Sequence, residues 1–123
     1  LSWEPAPSEF FTGSARFGPL SEPQQDDGLM ALGVHFEPGA RTNWHHHPGG
    51  QVLYVASGAG YVQNAAGETV KIAPGDVVTI PSGEVHWHGA TAESYLMHLS
   101  LTTHGATVWE GPVTDAEYET AGE

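Results

Sequence analysis

Apolar and polar positions alternate most clearly in the stretch LMALGVHFE, residues 29–37. In an extended chain Met30, Leu32, Val34 and Phe36 share one face, and Ala31, Gly33 and His35 take the other. QVLYVASG, 51–58, is a second run rich in β-branched and aromatic residues and closed by glycine. GYVQNA and ETVKIA flank Ala66–Gly67 and predict a hairpin. PGD, 74–76, turns into VVTI, 77–80, and PSGE, 81–84, turns again before VHWHGA and SYLMHLSLTT. FFTGSARFG, 10–18, predicts one weak strand, and the proline-rich LSWEPAPSE, 1–9, an extended arm. The helical signal is confined to VTDAEYE near the end, with Thr114 or Asp115 as its cap. Roughly eight to ten short strands with tight turns and almost no helix predict an all-β sandwich or barrel.

The totals narrow this picture. A chain of 123 residues predicts one domain, divided into an arm over 1–10 and a folded unit over 11–123. Sixteen glycines and nine prolines supply the turns that so many strands need. Fifteen acidic residues against three basic ones give a net charge of −12. Such a surface repels phosphate backbones and anionic lipid, which argues against nucleic-acid and membrane partners. There is no cysteine, so disulfides and thiolate metal sites are excluded, and the cytoplasm is the favoured compartment. No apolar run reaches membrane-spanning length or resembles a signal peptide.

Six of the eight histidines gather around apolar β segments: His45, His46, His47, His86, His88 and His98. Taken alone, the run NWHHHPGGQ also reads as a solvated loop. In an extended segment, however, His45 and His47 project to one face and His46 to the other, and His86 and His88 form a second same-face pair. Imidazoles converging in this way bind a divalent ion. Order and spacing decide for the metal. Gly39 precedes His45-x-His47, then Gln51 and Gly58, while Gly75 precedes Pro81-x-Gly83 and His86.

This pair of motifs resembles the two signatures of the cupin superfamily, the first built on Gly, His-x-His, Glu and Gly and the second on Gly, Pro-x-Gly and His. Gln51 stands where the glutamate is usual. FTG at 11–13, FEPGARTNWHHHPGGQ at 36–51, PGDVV, PSGEVHWHGA at 81–90 and VTDAEY at 113–118 look like a group of small bacterial single-domain cupins that includes manganese-dependent, (R)-selective hydroxynitrile lyases. The resemblance implies a cupin jelly-roll β-barrel with a short C-terminal helix and a metal in the barrel mouth. The implied ligands are His45, His47, Gln51 and His86. The implied ion is Mn²⁺, with Fe²⁺, Ni²⁺ or Zn²⁺ also compatible with imidazole and amide donors. The implied assembly is a homodimer or a higher homo-oligomer.

Glutamine brings no charge to the metal, which then keeps its full pull on an oxygen or an anion. A lyase also needs a base. With the glutamate absent, His98 or His88 is the candidate, because an imidazole titrates near working pH. His35 and His104 read as structural or solvated and His46 as outward-facing. Thr42 is placed to hydrogen-bond a ligand, and Leu32, Val34, Phe36, Leu53 and Val55 are the expected apolar lining for a small substrate. Trp44 and Trp87 have the opposite parity and should pack outside the barrel or at a dimer contact. The expected activity is cleavage of a cyanohydrin-like hydroxy compound to an aldehyde and cyanide. The rivals are an iron-dependent dioxygenase and a non-enzymatic ligand- or metal-binding module.

Overall fold

The computed structural model describes residues 2–103 and 105–123. The strands follow in chain order as β1 (Glu4–Pro5), β2 (Phe11–Thr12), β3 (Ala15–Ser21), β4 (Met30–Phe36), β5 (Arg41–Thr42), β6 (His45–His46), β7 (Gln51–Gly58), β8 (Gly60–Asn64), β9 (Thr69–Ile72), β10 (Val77–Ile80), β11 (His86–Ala90), β12 (Leu96–Thr102) and β13 (Val108–Trp109), followed by helix α1 (Asp115–Ala121). The expected runs 51–58 and 77–80 are strands at those bounds, and the hairpin about Ala66–Gly67 joins β8 to β9.

The strands form two curled sheets. One is ordered β1-β3-β4-β12-β7-β10; the other runs β13-β6-β11-β5-β2, with β8 and β9 added beside β11. β12 is the spine of the first sheet. It pairs with β4 from Leu96↔Phe36 to Thr102↔Met30 and with β7 on its other edge, with a register shift between Met97 and His98. Strand parity then sends Leu96, His98 and Ser100 inward together with Val34, Phe36, Leu53 and Val55. Phe36, Leu53, Val55 and Leu96 are fully buried and pack with Val62, Ile72, Ile80 and Ala90. Each large apolar side chain hidden this way stabilises the barrel by about 1.5–3 kcal/mol.

Residues 10–18 do not form the single weak strand expected of them. The chain breaks at Gly13 (φ 81°), so β2 pairs with β5 in one sheet and β3 with β4 in the other. A Cβ on Gly13 would meet Ala40 Cα at 2.9 Å, so a close backbone crossing lets the chain change sheets there. The N-terminal arm is extended, and Glu4 and Pro5 pair with Phe17 and Arg16.

The helix is capped by Thr114 in a reciprocal box with Glu117. Tyr61, Trp87, Val113 and Ala121 form a second cluster outside the barrel, with Trp44 and Tyr118 against it. Both tryptophans thus pack outside the barrel, under this chain's own helix. Arg41 pins that helix from below: its guanidinium donates to Val113 O at 3.0 Å and to Asp115 at 2.8 Å and lies 4.5 Å from the Tyr118 ring centroid. Among the described residues, no helix is long and apolar enough to cross a membrane.

Candidate metal centre

Two of the histidine-bearing strands, β6 and β11, meet at one rung. His86 of β11 pairs with His45 of β6, which puts their ring centroids 4.3 Å apart. Two residues on, the turn of Pro48, Gly49 and Gly50 folds back through a Gly50 N–H to His47 O bond of 3.0 Å and starts β7 at Gln51. Gly50 has φ 79°, and a Cβ there would press on Ile80 O at 2.9 Å, so glycine is what allows Gln51 to enter beside the histidines. His88 lies 5.1 Å from His45, ring to ring, and His47 lies 5.1 Å from His45 and 5.9 Å from His86. His98 arrives from β12, its Nε2 3.0 Å from His88 Nδ1. All five histidines and Gln51 are buried.

The backbone sets the orientation of two rings. His45 Nδ1 lies 2.9 Å from Asn43 O and His86 Nδ1 lies 2.9 Å from Glu84 O. Each Nδ1 therefore carries the hydrogen, and each Nε2 presents a lone pair to the centre. This leaves His86 Nε2 facing Gln51 Oε1 at 3.0 Å, two acceptors with no hydrogen between them. Neighbouring ligands of an octahedral ion bonded at about 2.1 Å stand about 3 Å apart, so a cation satisfies both atoms where a proton does not. His47 Nε2 and His88 Nε2 are also buried without partners. Nitrogens of His45, His86 and His88 lie within 4.8 Å of one another, so these three buried imidazoles could hold a divalent ion. That trio shares His45 and His86 with the set expected from sequence and differs in having His88 rather than His47.

Burial keeps the cluster neutral. It is the largest cause that lowers His45 and His88 well below the usual imidazole value, with the neighbouring rings adding to it. Burial also brings His47 and His98 down to about 4 and lowers His86. Neutral imidazoles keep the lone pairs that a metal or a proton transfer needs.

Beside the cluster is a cavity of about 220 Å³, lined by Met30, Leu32, His47, Ser100, Thr102 and Thr107. A dry cavity of roughly 150 Å³ already accommodates benzene, so a small aromatic compound fits this one. Of the expected apolar lining, Leu32 reaches the cavity, whereas Val34, Phe36, Leu53 and Val55 belong to the packed core. Thr42 Oγ1 accepts the His88 backbone N–H at 3.3 Å and sits 3.4 Å from His45 Nδ1. His46 is half-buried and turned toward Glu110 at 3.7 Å, and His35 stacks on Tyr95 with centroids 5.3 Å apart. His104 lies outside the described residues. Sequence reasoning missed Ser100, which has the inward parity of His98, and Trp109, whose ring is 4.8 Å from His45.

The family model for the cupin domain matches residues 33–102. The chain is 42% identical over 115 residues to the (R)-mandelonitrile lyase of Granulicella tundricola, covering 91% of this chain and 88% of that protein. It superposes on a cupin-like protein from Thermotoga maritima with a TM-score of 0.91 at 40% identity, covering 95% of this chain and 91% of the other. A protein of the same organism, described as a predicted oxalate decarboxylase, shares the fold at a TM-score of 0.72 and 22% identity, covering 89% of this chain and 93% of the other.

Proposed function

We propose that this chain, which belongs to the cupin domain family, is a metal-dependent lyase that cleaves a small hydroxynitrile to an aldehyde and cyanide. His45, His47, Gln51 and His86 would hold the ion, Mn²⁺ by preference. When bound, it supplies a Lewis acid whose charge no carboxylate of the set offsets. The ligand set follows the spacing of the sequence motif, which leaves His88 to pair with His98 as the base.

The observation that carries this reading is the buried histidine cluster, which holds the His88–His98 pair and reaches a cavity of suitable size through His47. The Nδ1 to Nε2 contact of 3.0 Å uses one nitrogen of each ring, and the other two, His88 Nε2 and His98 Nδ1, have no partner. One of these takes the substrate hydroxyl proton. The carbon–carbon bond to the nitrile then breaks, its electron pair leaves with cyanide, and the hydroxyl carbon becomes the aldehyde carbonyl. The proton held on the imidazole is delivered to cyanide, which restores the base. Burial of the pair excludes water that would compete for that proton. The 42% identity to a mandelonitrile lyase supports the choice of substrate.

The test is release of benzaldehyde from (R)-mandelonitrile under anaerobic conditions by protein of known metal content. Cleavage that needs the metal and no oxygen supports the lyase. Failure to cleave, together with oxygen uptake on a diketone or a thiol, replaces it with the dioxygenase.

A further inference from the structure

The two ends of the Gln51 amide have different duties. Oε1 faces His86 Nε2 at 3.0 Å, and Nε2 donates to Ser100 Oγ at 2.7 Å. An amide nitrogen offers no lone pair to a cation, so an ion among the histidines holds the oxygen inward and the amino group on Ser100. Ser100 Oγ is thereby committed as an acceptor, and its hydroxyl hydrogen must point elsewhere. Among the described residues Ser100 Oγ makes no other hydrogen bond. Ser100 is 7% exposed, and strand pairing with Leu32 and Leu53 holds it on the inward face. The open direction is the cavity, which Ser100 lines with Met30, Leu32 and Thr102.

We infer that Ser100 is a specificity-determining hydrogen-bond donor to the substrate, turned into the cavity by Gln51, and that it recognises an uncharged acceptor such as a nitrile nitrogen or a carbonyl oxygen. The preference for an uncharged acceptor follows from Asp26, an acidic residue among those lining the same cavity, and from the chain's net charge of −12. A glutamate at position 51 would reverse the polarity. A carboxylate has nothing to donate, so the Ser100 hydroxyl would turn toward it and away from the cavity. One amino group in place of one oxygen at position 51 thus decides whether the cavity wall offers a donor. The choice of a nitrile rests on the lyase reading, but the direction of the hydroxyl does not.

The probe is phenylacetonitrile, which has the nitrile and no hydroxyl to be cleaved, with 3-phenyl-1-propyne as a shape control. Binding to metal-loaded protein is followed by calorimetry and by the infrared C≡N stretch, which rises when a nitrile accepts an O–H hydrogen bond. Ser100→Ala should weaken the nitrile about tenfold, leave the alkyne unchanged and return the stretch to its unbonded position. Ser100→Thr should restore the shift. Gln51→Glu should abolish it with Ser100 still present. Metal content measured on each variant separates loss of the donor from loss of the ion. Wild type that binds the nitrile with the same stretch as Ser100→Ala, or that does not bind it at all, overturns the inference. A shifted stretch in a protein that cleaves no cyanohydrin overturns the lyase reading and leaves Ser100 as the donor.

Discussion

His98 Nε2 and His88 Nδ1 lie 3.0 Å apart with both rings buried, one carried by β12 in the first sheet and the other by β11 in the second. The contact bridges the barrel. It forms because β12 sends His98 inward next to its register shift, while β11 is buried along its whole length. Removing either ring should lower mandelonitrile cleavage by about a hundredfold or more, the usual loss when a general base is deleted. The metal should stay, since His45, His47, Gln51 and His86 are untouched. His35→Ala is the control, because that ring stacks on Tyr95 away from the cluster. Wild-type rates in both His88→Ala and His98→Ala, with metal bound, would move the base to solvent.

Metal removal should destabilise the protein. Without a cation, His47 Nε2 is a buried acceptor with no partner, and an unmet polar atom in a buried site costs about 1–3 kcal/mol. Chelation should therefore lower the thermal midpoint. Mn²⁺ at roughly a hundred times its Kd should restore about 2.7 kcal/mol. The double variant His45→Ala/His86→Ala should bind no metal and show no response to either treatment. A wild type equally indifferent to chelator and Mn²⁺ would remove the metal from the account.

These relationships differ in how far the sequence foretells them. His45 and His47, like His86 and His88, are two residues apart, and a local period of two is enough to read that each pair shares a face. The strands Gln51–Gly58 and Val77–Ile80 were legible for the same reason and because glycine and proline turns bound them. Parity gives a face but not a depth. Val34, Phe36, Leu53 and Val55 face inward as expected, yet they fill the packed core, and only Leu32 of that expected set reaches the cavity. Ser100 could be recognised only from non-local pairing, since nothing around it marks it apart from Ser57 or Ser94. Trp109 sits in a strand of two residues, too short to carry any periodicity.

The resemblance to small cupins implies a homodimer or a higher homo-oligomer, and we place the contact of a dimer on the outer face of the first sheet. Leu99 pairs across to Tyr54, which pairs to Val77, and Leu101 pairs to Val52 in the next row. Tyr54 is 42% exposed and Val77 62%. A molecule of net charge −12 repels its own copy elsewhere, whereas these positions carry no charge. Light scattering at micromolar concentration should give twice the chain mass of 13.0 kDa. Tyr54→Glu/Val77→Glu should give a monomer that keeps its metal, because both side chains point away from the histidines. A wild-type monomer would exclude the dimer. A dimer that survives the double substitution would place its interface on another face.

The helix cap makes a pH-dependent contribution whose sign follows from its geometry. Glu117 Oε1 accepts the Thr114 backbone N–H at 2.9 Å, Thr114 Oγ1 accepts the Glu117 backbone N–H at 3.1 Å, and Trp44 Nε1 reaches the same carboxylate at 3.4 Å. The Thr114 backbone hydrogen bond is the main reason the Glu117 carboxyl is held below its usual value of 4.5. A carboxyl whose folded value is depressed binds its proton more readily in the unfolded chain. Its contribution is therefore complete above 4.5 and is lost as pH falls through the folded value. Glu117→Gln keeps an acceptor oxygen at the cap but cannot titrate. Urea midpoints of the two proteins, both metal-free, should differ most near pH 6 and converge as pH falls toward 3. The buried histidines also titrate over that range, with values lowered by burial, but they do so identically in both proteins and drop out of the difference. A gap between the curves that does not change with pH would mean that the cap acts through shape alone and that its carboxylate charge adds nothing.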